Sequence, residues 1–537
     1  MSNPCSHPCL RPVERIAVVL FLVLACAGAR ASPGPHWVIE VDAPDPGAPA
    51  ALEAMGVSVS QYLDGGAEAY VDRDGLARIR EAGFSYRILR RDGAAPFSPM
   101  KQGPGPDSLG VQYHNHEGVT AILHEYAAAY SHLTRLKSLG DSVEGRELWA
   151  MLLTADPGEK SAIPTVHYIA TMHGDEPVGT ELCLLFIDWL LGGYGEDSRI
   201  TALLDDTALW ILPLMNPDGL ERRSRMNANG VDLNRDFPIY AEDFTSDFFA
   251  AGGTLDTAGR QPETVHVMEW SARHAFALTA NFHTGALVVN YPYDYEPGVP
   301  SGVPAESPDE DLIRDLAIRY AMHNPPMSQS PAFPGGVVNG SAWFSIQGSM
   351  QDWQYRYMGA IETTLEVSNV KWPDASRLPG FWDDNRESMI AYLEGVHRGV
   401  GGVVTDARTD APVLARVRVD GNPQPVFTDP DTGYYHRLLL PGEYGMTVSA
   451  PLYAPQRVEG VVVDGVSVGD TPQWDVELVF ADANQDGQLN SVDIQLIINA
   501  VLGRPCPEGV ICDLTGSGGA DARDVQSVIN AVLGAAS

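Results

Sequence analysis

The chain has 537 residues, 44% of them hydrophobic, which is too long for one core and rich enough for several globular domains. Asp and Glu total 70 against 35 Lys and Arg, a formal charge of −35. That field repels nucleic acid and anionic membrane surfaces and excludes both as partners, while drawing cationic substrates and divalent metals.

Residues 16–28, IAVVLFLVLACAG, form an apolar run too short to span a bilayer. Arg11 and Arg15 precede it and Ala29-Arg30-Ala31 follows, so residues 1–31 read as a secretory signal peptide and the protein as secreted. Lipid anchoring at Cys26, after Val23-Leu24-Ala25, is the alternative. No other segment reaches transmembrane length. Beyond Ala31 only Cys183, Cys506 and Cys512 remain, so no disulfide framework is expected. Cys506 and Cys512 are close enough for a small loop disulfide, and Cys183 in ELCLLFIDWLL reads as a buried apolar residue.

Residues 32–91 read strand, helix, strand, strand, helix, strand, a small α+β domain that is either a removed pro-segment or a permanent accessory unit. Residues 92–112, rich in Pro, Gly and Ser at their start, form a linker. From 113 to 399, helices alternate with short apolar strands, as in an α/β domain with a mixed sheet. TVHYIATMHG and ALWILPLMNPDG are apolar runs that end in Gly, Asn and Asp, the mark of buried strands opening into loops. Residues 400–480 alternate apolar and polar positions between turns and predict a small β-sandwich. Residues 481–537 hold a repeat: DANQDGQLNSVD from Asp482 and DLTGSGGADARD from Asp513 are each followed by INAVLG.

HGDE (173–176) brings a His and a Glu to one strand-end loop at a spacing that lets both face one metal, with His283 arriving from a distant strand. Two imidazoles and a carboxylate with an open fourth position make a catalytic zinc set. Alone, the pair would more often be a helix cap or a surface loop. The order HGDE, NPDG (216–219), RMNANGVDLNR (225–235), NFHTGALVVNYPYD, GSMQDW (348–353) and ETTLEVSNVKWP resembles the zinc metallocarboxypeptidases, specifically the carboxypeptidase N/E-like (regulatory) branch. The resemblance covers roughly residues 113–399. The β-sandwich, through YYHRLLLPGEY, resembles the transthyretin-like domain that follows in that branch.

The resemblance implies one catalytic zinc held by His173, Glu176 and His283, with Asp232 holding the His173 ring. Arg225 would polarise the scissile carbonyl, and Asn234 with Arg235 would clamp the substrate's terminal carboxylate. Glu366 is the implied general base acting on zinc-bound water, chosen over Glu362 by the family's T-x-E placement. Asp294, eleven residues after His283, falls at the base of the S1′ pocket with Gln351 as its polar neighbour, which implies substrates ending in Lys or Arg. One departure is Phe344, where the family has a tyrosine; the missing hydroxyl predicts weaker substrate binding with the chemistry retained. Another is Ser349, in place of the second Gly of a GG pair, which puts the local turn in question.

In the first repeat, Asp482, Asn484, Asp486, Asn490 and Asp493 fall at loop positions 1, 3, 5, 9 and 12 with Gly487 at 6, an EF-hand-like calcium loop. Asp513, Thr515, Ser517, Asp521 and Asp524 take those positions in the second. Paired loops, each with one helix, resemble a type I dockerin, which implies one or two Ca2+ and a cohesin partner facing Ser491-Val492 and Ala522-Arg523. The expected activity is hydrolysis of the C-terminal residue of peptides or proteins. Two rival readings are a zinc peptidase acting on cell-wall peptides and a catalytically silent binding module docked through its repeat.

Overall fold

A computed structural model describes residues 36–534 apart from 64, 94–99, 102–108, 159–161, 241–254, 256, 466, 467 and 470. The leader with Cys26, and residues 94–99 and 102–108 of the expected linker, lie outside the described residues. Strands β1 (Trp37–Asp42), β2 (Ser58–Leu63), β3 (Gly66–Val71) and β4 (Tyr86–Arg91) form an antiparallel sheet in the order β2-β3-β1-β4, which leaves β2 at an edge. Two helices, Ala48–Ala54 and Arg73–Glu81, accompany it, and the Asp72 carboxylate caps the second by accepting from Gly75 N. Ile39, Val41, Leu52, Ala67 and Ile79 make its core, which runs on into Ala286, Val288, Trp343 and Phe344 of the following domain.

After a two-residue parallel ribbon, β5 (Met100–Lys101) with β6 (Tyr113–His114), eight strands build the central sheet. They are β7 (Thr134–Asp141), β8 (Glu147–Leu153), β9 (Thr165–Ala170), β10 (Ala208–Leu212), β11 (Phe276–His283), β12 (Leu287–Tyr291), β13 (Val337–Asn339) and β14 (Ile361–Val367), in the order β13-β12-β14-β11-β9-β10-β8-β7. β10, β9, β11 and β14 run parallel, and antiparallel neighbours flank them. Both faces are covered, so the strands read as unbroken apolar runs. On β10, Leu209 and Ile211 enter one core with Leu182, Phe186 and Tyr392. Trp210 and Leu212 point into the other, with Val267, Trp270 and Trp353. Cys183 is fully buried.

Residues 400–480 form two four-stranded sheets around Val404, Val417, Tyr435, Met446 and Leu478. Asp309 ties this sandwich to the central-sheet domain: it accepts from Arg437 Nη2 at 2.7 Å, Asn422 Nδ2 at 2.7 Å and Tyr355 OH at 2.8 Å. Beyond the sandwich, helices Ser491–Val501 and Ala522–Gly534 pack on each other, and Cys506 and Cys512 are joined by a disulfide. Among the described residues no helix is long and apolar enough to cross a membrane.

Arg437 and Asp309 are both buried, so removing one leaves the other charge unpaired. Arg437→Met is expected to cost about 3–5 kcal/mol, read as a lowered melting temperature by calorimetry.

Candidate active site

Three of the four parallel strands, β9, β11 and β14, finish at the same end of the sheet, where loops can bring polar groups together over a rigid base. Thr171, just past β9, has φ 52°, and its hydroxyl donates to Glu176 O at 3.1 Å, turning the chain sharply out of the strand. Gly174 follows; a Cβ there would lie 2.0 Å from the Gly219 carbonyl carbon, so the HGDE and NPDG loops touch backbone to backbone. This packing places His173 Nδ1 at 3.2 Å from one Glu176 oxygen, and His283 Nδ1 lies 2.9 Å from the other. Among the described residues, His173, Glu176 and His283 are the one group of three or more His, Cys, Asp or Glu whose donor atoms converge within 4.8 Å.

The ring chemistry fits a cation. Burial opposes the charged form of Asp232, yet Arg225, His173 and Arg235 hold its carboxyl well below the usual range, so it only accepts. His173 Nε2, 3.0 Å from Asp232, therefore carries the proton, and the Nδ1 lone pair is left toward Glu176. Burial, His173 and Arg225 lower the His283 pKa to about 4 against the pull of Glu176, which favours the neutral form of this ring.

Arg225 is buried beside these groups. Its Nε donates to Asp232 at 2.9 Å and its Nη1 lies 3.3 Å from Glu176 and 3.0 Å from His173 Nδ1. Asn234 Oδ1 accepts from Met350 N at 3.0 Å, which leaves its NH2 group as the part able to donate to a carboxylate. Arg235 stands next to it, donating through Nη1 to Asn234 O. The β11–β14 register pairs His283 with Glu366, setting the expected base beside the third ligand. Burial and the Glu176 charge push the Glu366 carboxyl up to about 8. Glu362, on the same face of β14, is engaged elsewhere, accepting from Asn281 Nδ2 and Thr279 Oγ1.

Asp294 lies buried in a polar chain. Asn290 Nδ2 donates to it at 3.2 Å, Gln351 Nε2 donates to Asn290 Oδ1 at 3.3 Å, and Thr364 Oγ1 donates to Gln351 Oε1 at 3.0 Å. Gly340 makes room for it, since a Cβ there would sit 2.0 Å from Asp294 Oδ1. Burial raises the Asp294 pKa above the ordinary carboxylate value, partly offset by hydrogen bonds from Ser349 and Asn290 and by the Arg235 charge. Ser349 leaves the turn intact: its φ is −76°, it caps the helix Met350–Trp353, and the left-handed position belongs to Gly348 at φ 73°. Phe344 is buried, edge-on to Trp343 and within the apolar cluster shared with the N-terminal domain.

Several groups at the site have no counterpart among the sequence-derived candidates. Glu53, Ser58 and Tyr70 come from the N-terminal domain, and Asn290 and Lys371 from the catalytic domain. Lys371 Nζ reaches Tyr70 OH at 3.0 Å, Glu68 at 3.3 Å and Glu176 at 3.9 Å. Asn290 sits four residues before Asp294 in VVNYPYD, the one local pattern that could have flagged it.

The two C-terminal loops share one hydrogen-bond scheme. Asp482 accepts from the amides of Asp486 and Gly487, and Asp493 from those of Asn484 and Asn490. Asp513 accepts from Ser517 and Gly518, and Asp524 from Thr515 and Asp521. Loop positions 1 and 12 thus carry the same duties in both copies.

Fold and site together define a metal-dependent hydrolase: a mixed α/β sheet, a His-Glu-His metal set at its parallel edge, and a carboxylate beside the third ligand. The chain belongs to the zinc carboxypeptidase family, whose sequence model matches residues 119–388. It is 40% identical over 371 residues to carboxypeptidase M of Mus musculus, covering 64% of this chain and 79% of that one. To carboxypeptidase E of Caenorhabditis elegans it is 37% identical over 387 residues, 64% of this chain and 81% of the relative. The match to Homo sapiens carboxypeptidase D is 38% over 364 residues and spans 64% of this chain but only 25% of that protein. Among solved structures, carboxypeptidase A from Helicoverpa armigera superimposes with TM-score 0.50 at 18% identity over 66% of this chain and 96% of that one, a likeness of fold. The protein is a peptide hydrolase, and zinc is the metal its family implies; two imidazoles and one carboxylate suit that ion.

Because Asp232 fixes the His173 tautomer, Asp232→Asn is expected to weaken zinc binding roughly 10- to 100-fold, read by competition with a chromophoric chelator.

Proposed function

We propose that the chain is a secreted carboxypeptidase that removes Lys or Arg from the C-termini of peptides or proteins. The carrying observation is a buried carboxylate, Asp294, hydrogen-bonded to Asn290, which in turn accepts from Gln351. A carboxylate held away from water is costly unless a cation meets it, and a substrate Lys or Arg supplies one.

His173, Glu176 and His283 hold the zinc, which when bound supplies a Lewis acid for the scissile carbonyl and acidifies water. Glu366 takes the proton from the attacking water and returns it to the leaving amine. Arg225, already desolvated, stabilises charge developing on the carbonyl oxygen. Arg235 holds the terminal carboxylate through a two-pronged guanidinium contact and Asn234 adds an amide donor, so the last peptide bond is the one presented. Phe344 covers the substrate without a hydroxyl to donate. A silent binding module would have no use for a complete ligand set with Glu366 beside it.

We assign the C-terminal repeat the role of a calcium-stabilised dockerin-like module for a cohesin-type partner, resting on the loop chemistry and the shared hydrogen-bond scheme of its two copies. The signal peptide at 1–31 supports export.

On matched peptides ending in Arg, Lys, Phe or Glu, basic ends are expected to be cut fastest, a chelator to abolish turnover, and Glu366→Gln to lower kcat by roughly 10²- to 10⁴-fold. A preference for Phe would refute the specificity. Binding needs ionised Asp294, whose pKa is raised, so the preference for basic ends should be full at higher pH and fade as pH falls through that raised value. Calorimetric titration should show calcium uptake by the C-terminal module, lost in the Asp482→Ala, Asp513→Ala double variant; no uptake refutes that role.

A further inference from the structure

We infer that the cleft between the central-sheet domain and the β-sandwich is a second binding site, separate from the metal centre, for an acidic peptide segment in extended conformation.

A cavity of about 440 Å3 lies at this junction. Ligand sites are built preferentially where two domains meet, from aromatic walls and a few placed polar groups. One wall comes from the central-sheet domain through Tyr240, Tyr293 and Arg356, the other from the sandwich through Arg416, Arg418 and Phe427. The cleft stands back to back with the metal centre. Tyr293 and Glu296 line it, whereas Tyr295 between them lines the cavity to which Asp232 and Arg235 belong.

The sign of its charge is opposite to that of the chain. Three arginines and two glutamates line it, in a protein with twice as many acids as bases. Arg356 is committed within the wall: its guanidinium carbon lies 3.5 Å from the Tyr293 ring centre and 4.1 Å from that of Tyr240. It also donates to Tyr295 O at 3.0 Å and pairs with Glu296. Among the lining residues, that leaves Arg416 and Arg418 against one carboxylate, Glu306. Arg418 is exposed and, among the described residues, makes no hydrogen bond or ion pair.

Spacing selects the ligand. Arg416 and Arg418 stand two apart on the strand Arg416–Val419, so both side chains leave one face of the sheet, about 7 Å apart. An extended peptide repeats at the same interval, so carboxylates at its positions i and i+2 meet both guanidinium forks. Phe427, paired directly across from Arg416, continues with Pro423, Pro425 and the half-exposed Tyr240 as an apolar surface for the intervening chain. An inorganic anion would use the arginines and leave that surface uncovered. Arginine clusters beside apolar contacts are the common means of reading acidic motifs.

The test is calorimetric titration of the zinc-loaded full chain with acetyl-Glu-Tyr-Glu-Pro-Glu amide, whose blocked C-terminus keeps it from acting as a substrate. Saturable binding is expected, weakened roughly 10- to 100-fold in Arg418→Glu, the scale of a lost charge-assisted pair. Tyr240→Ala should weaken it as well. Both side chains are exposed, so both variants should keep the wild-type melting temperature and turn over an Arg-ended peptide at the wild-type rate. The same peptide with Gln in place of Glu should not bind. Equal affinity for the Gln peptide, or unchanged affinity in Arg418→Glu, overturns the inference. Inorganic phosphate that binds as tightly as the peptide and competes with it overturns the assignment to a peptide.

Discussion

The Glu176 carboxylate lies between two buried imidazoles, one oxygen facing His173 and the other His283, although 107 residues separate Glu176 from His283. Bringing an anion and two rings together out of water is unfavourable unless charge and hydrogen bonding are balanced around them. The surrounding shell does this with alternating sign: Arg225 sits against Glu176, and Asp232 against both Arg225 and His173. The rest of the catalytic domain follows from that need. Parallel strands buried on both faces give a stiff base, their loops meet at one end, and the close backbone approach of Gly174 to Gly219 sets the loop that carries His173 and Glu176 against the NPDG loop.

The individual residues of the ligand set were legible in the sequence because each stands in a dense local motif. Their relations were less so. TVHYIA and ALWIL read as buried strands since their apolar runs have no polar face, yet nothing local fixes the β11–β14 register that pairs His283 with Glu366. Register is a property of the assembled sheet. Phe344 reads in isolation as the loss of a hydroxyl; in the fold its ring is buried in the apolar cluster continuous with the N-terminal core, where a phenol would need a partner. Ser349 looked like a threat to the turn only because the sequence does not say which of two positions carries positive φ. The Glu53–Arg235 pair spans 182 residues and two domains, and neither residue carries a mark of the other.

The surroundings of Asp294 show how a buried carboxylate is held in place. Asp352 accepts from the amides of Asp294 and Tyr295, which pins the backbone on which Asp294 rides. Burial and then the Asp294 charge push the Asp352 carboxyl well above its ordinary range, and burial raises Asp294 as well. Arg356 lies 3.5 Å over the Tyr293 ring and ion-pairs with Glu296, and its charge partly offsets the rise at Asp352. Under the proposed specificity, a basic side chain brought to Asp294 would favour its charged form, and a neutral one would not.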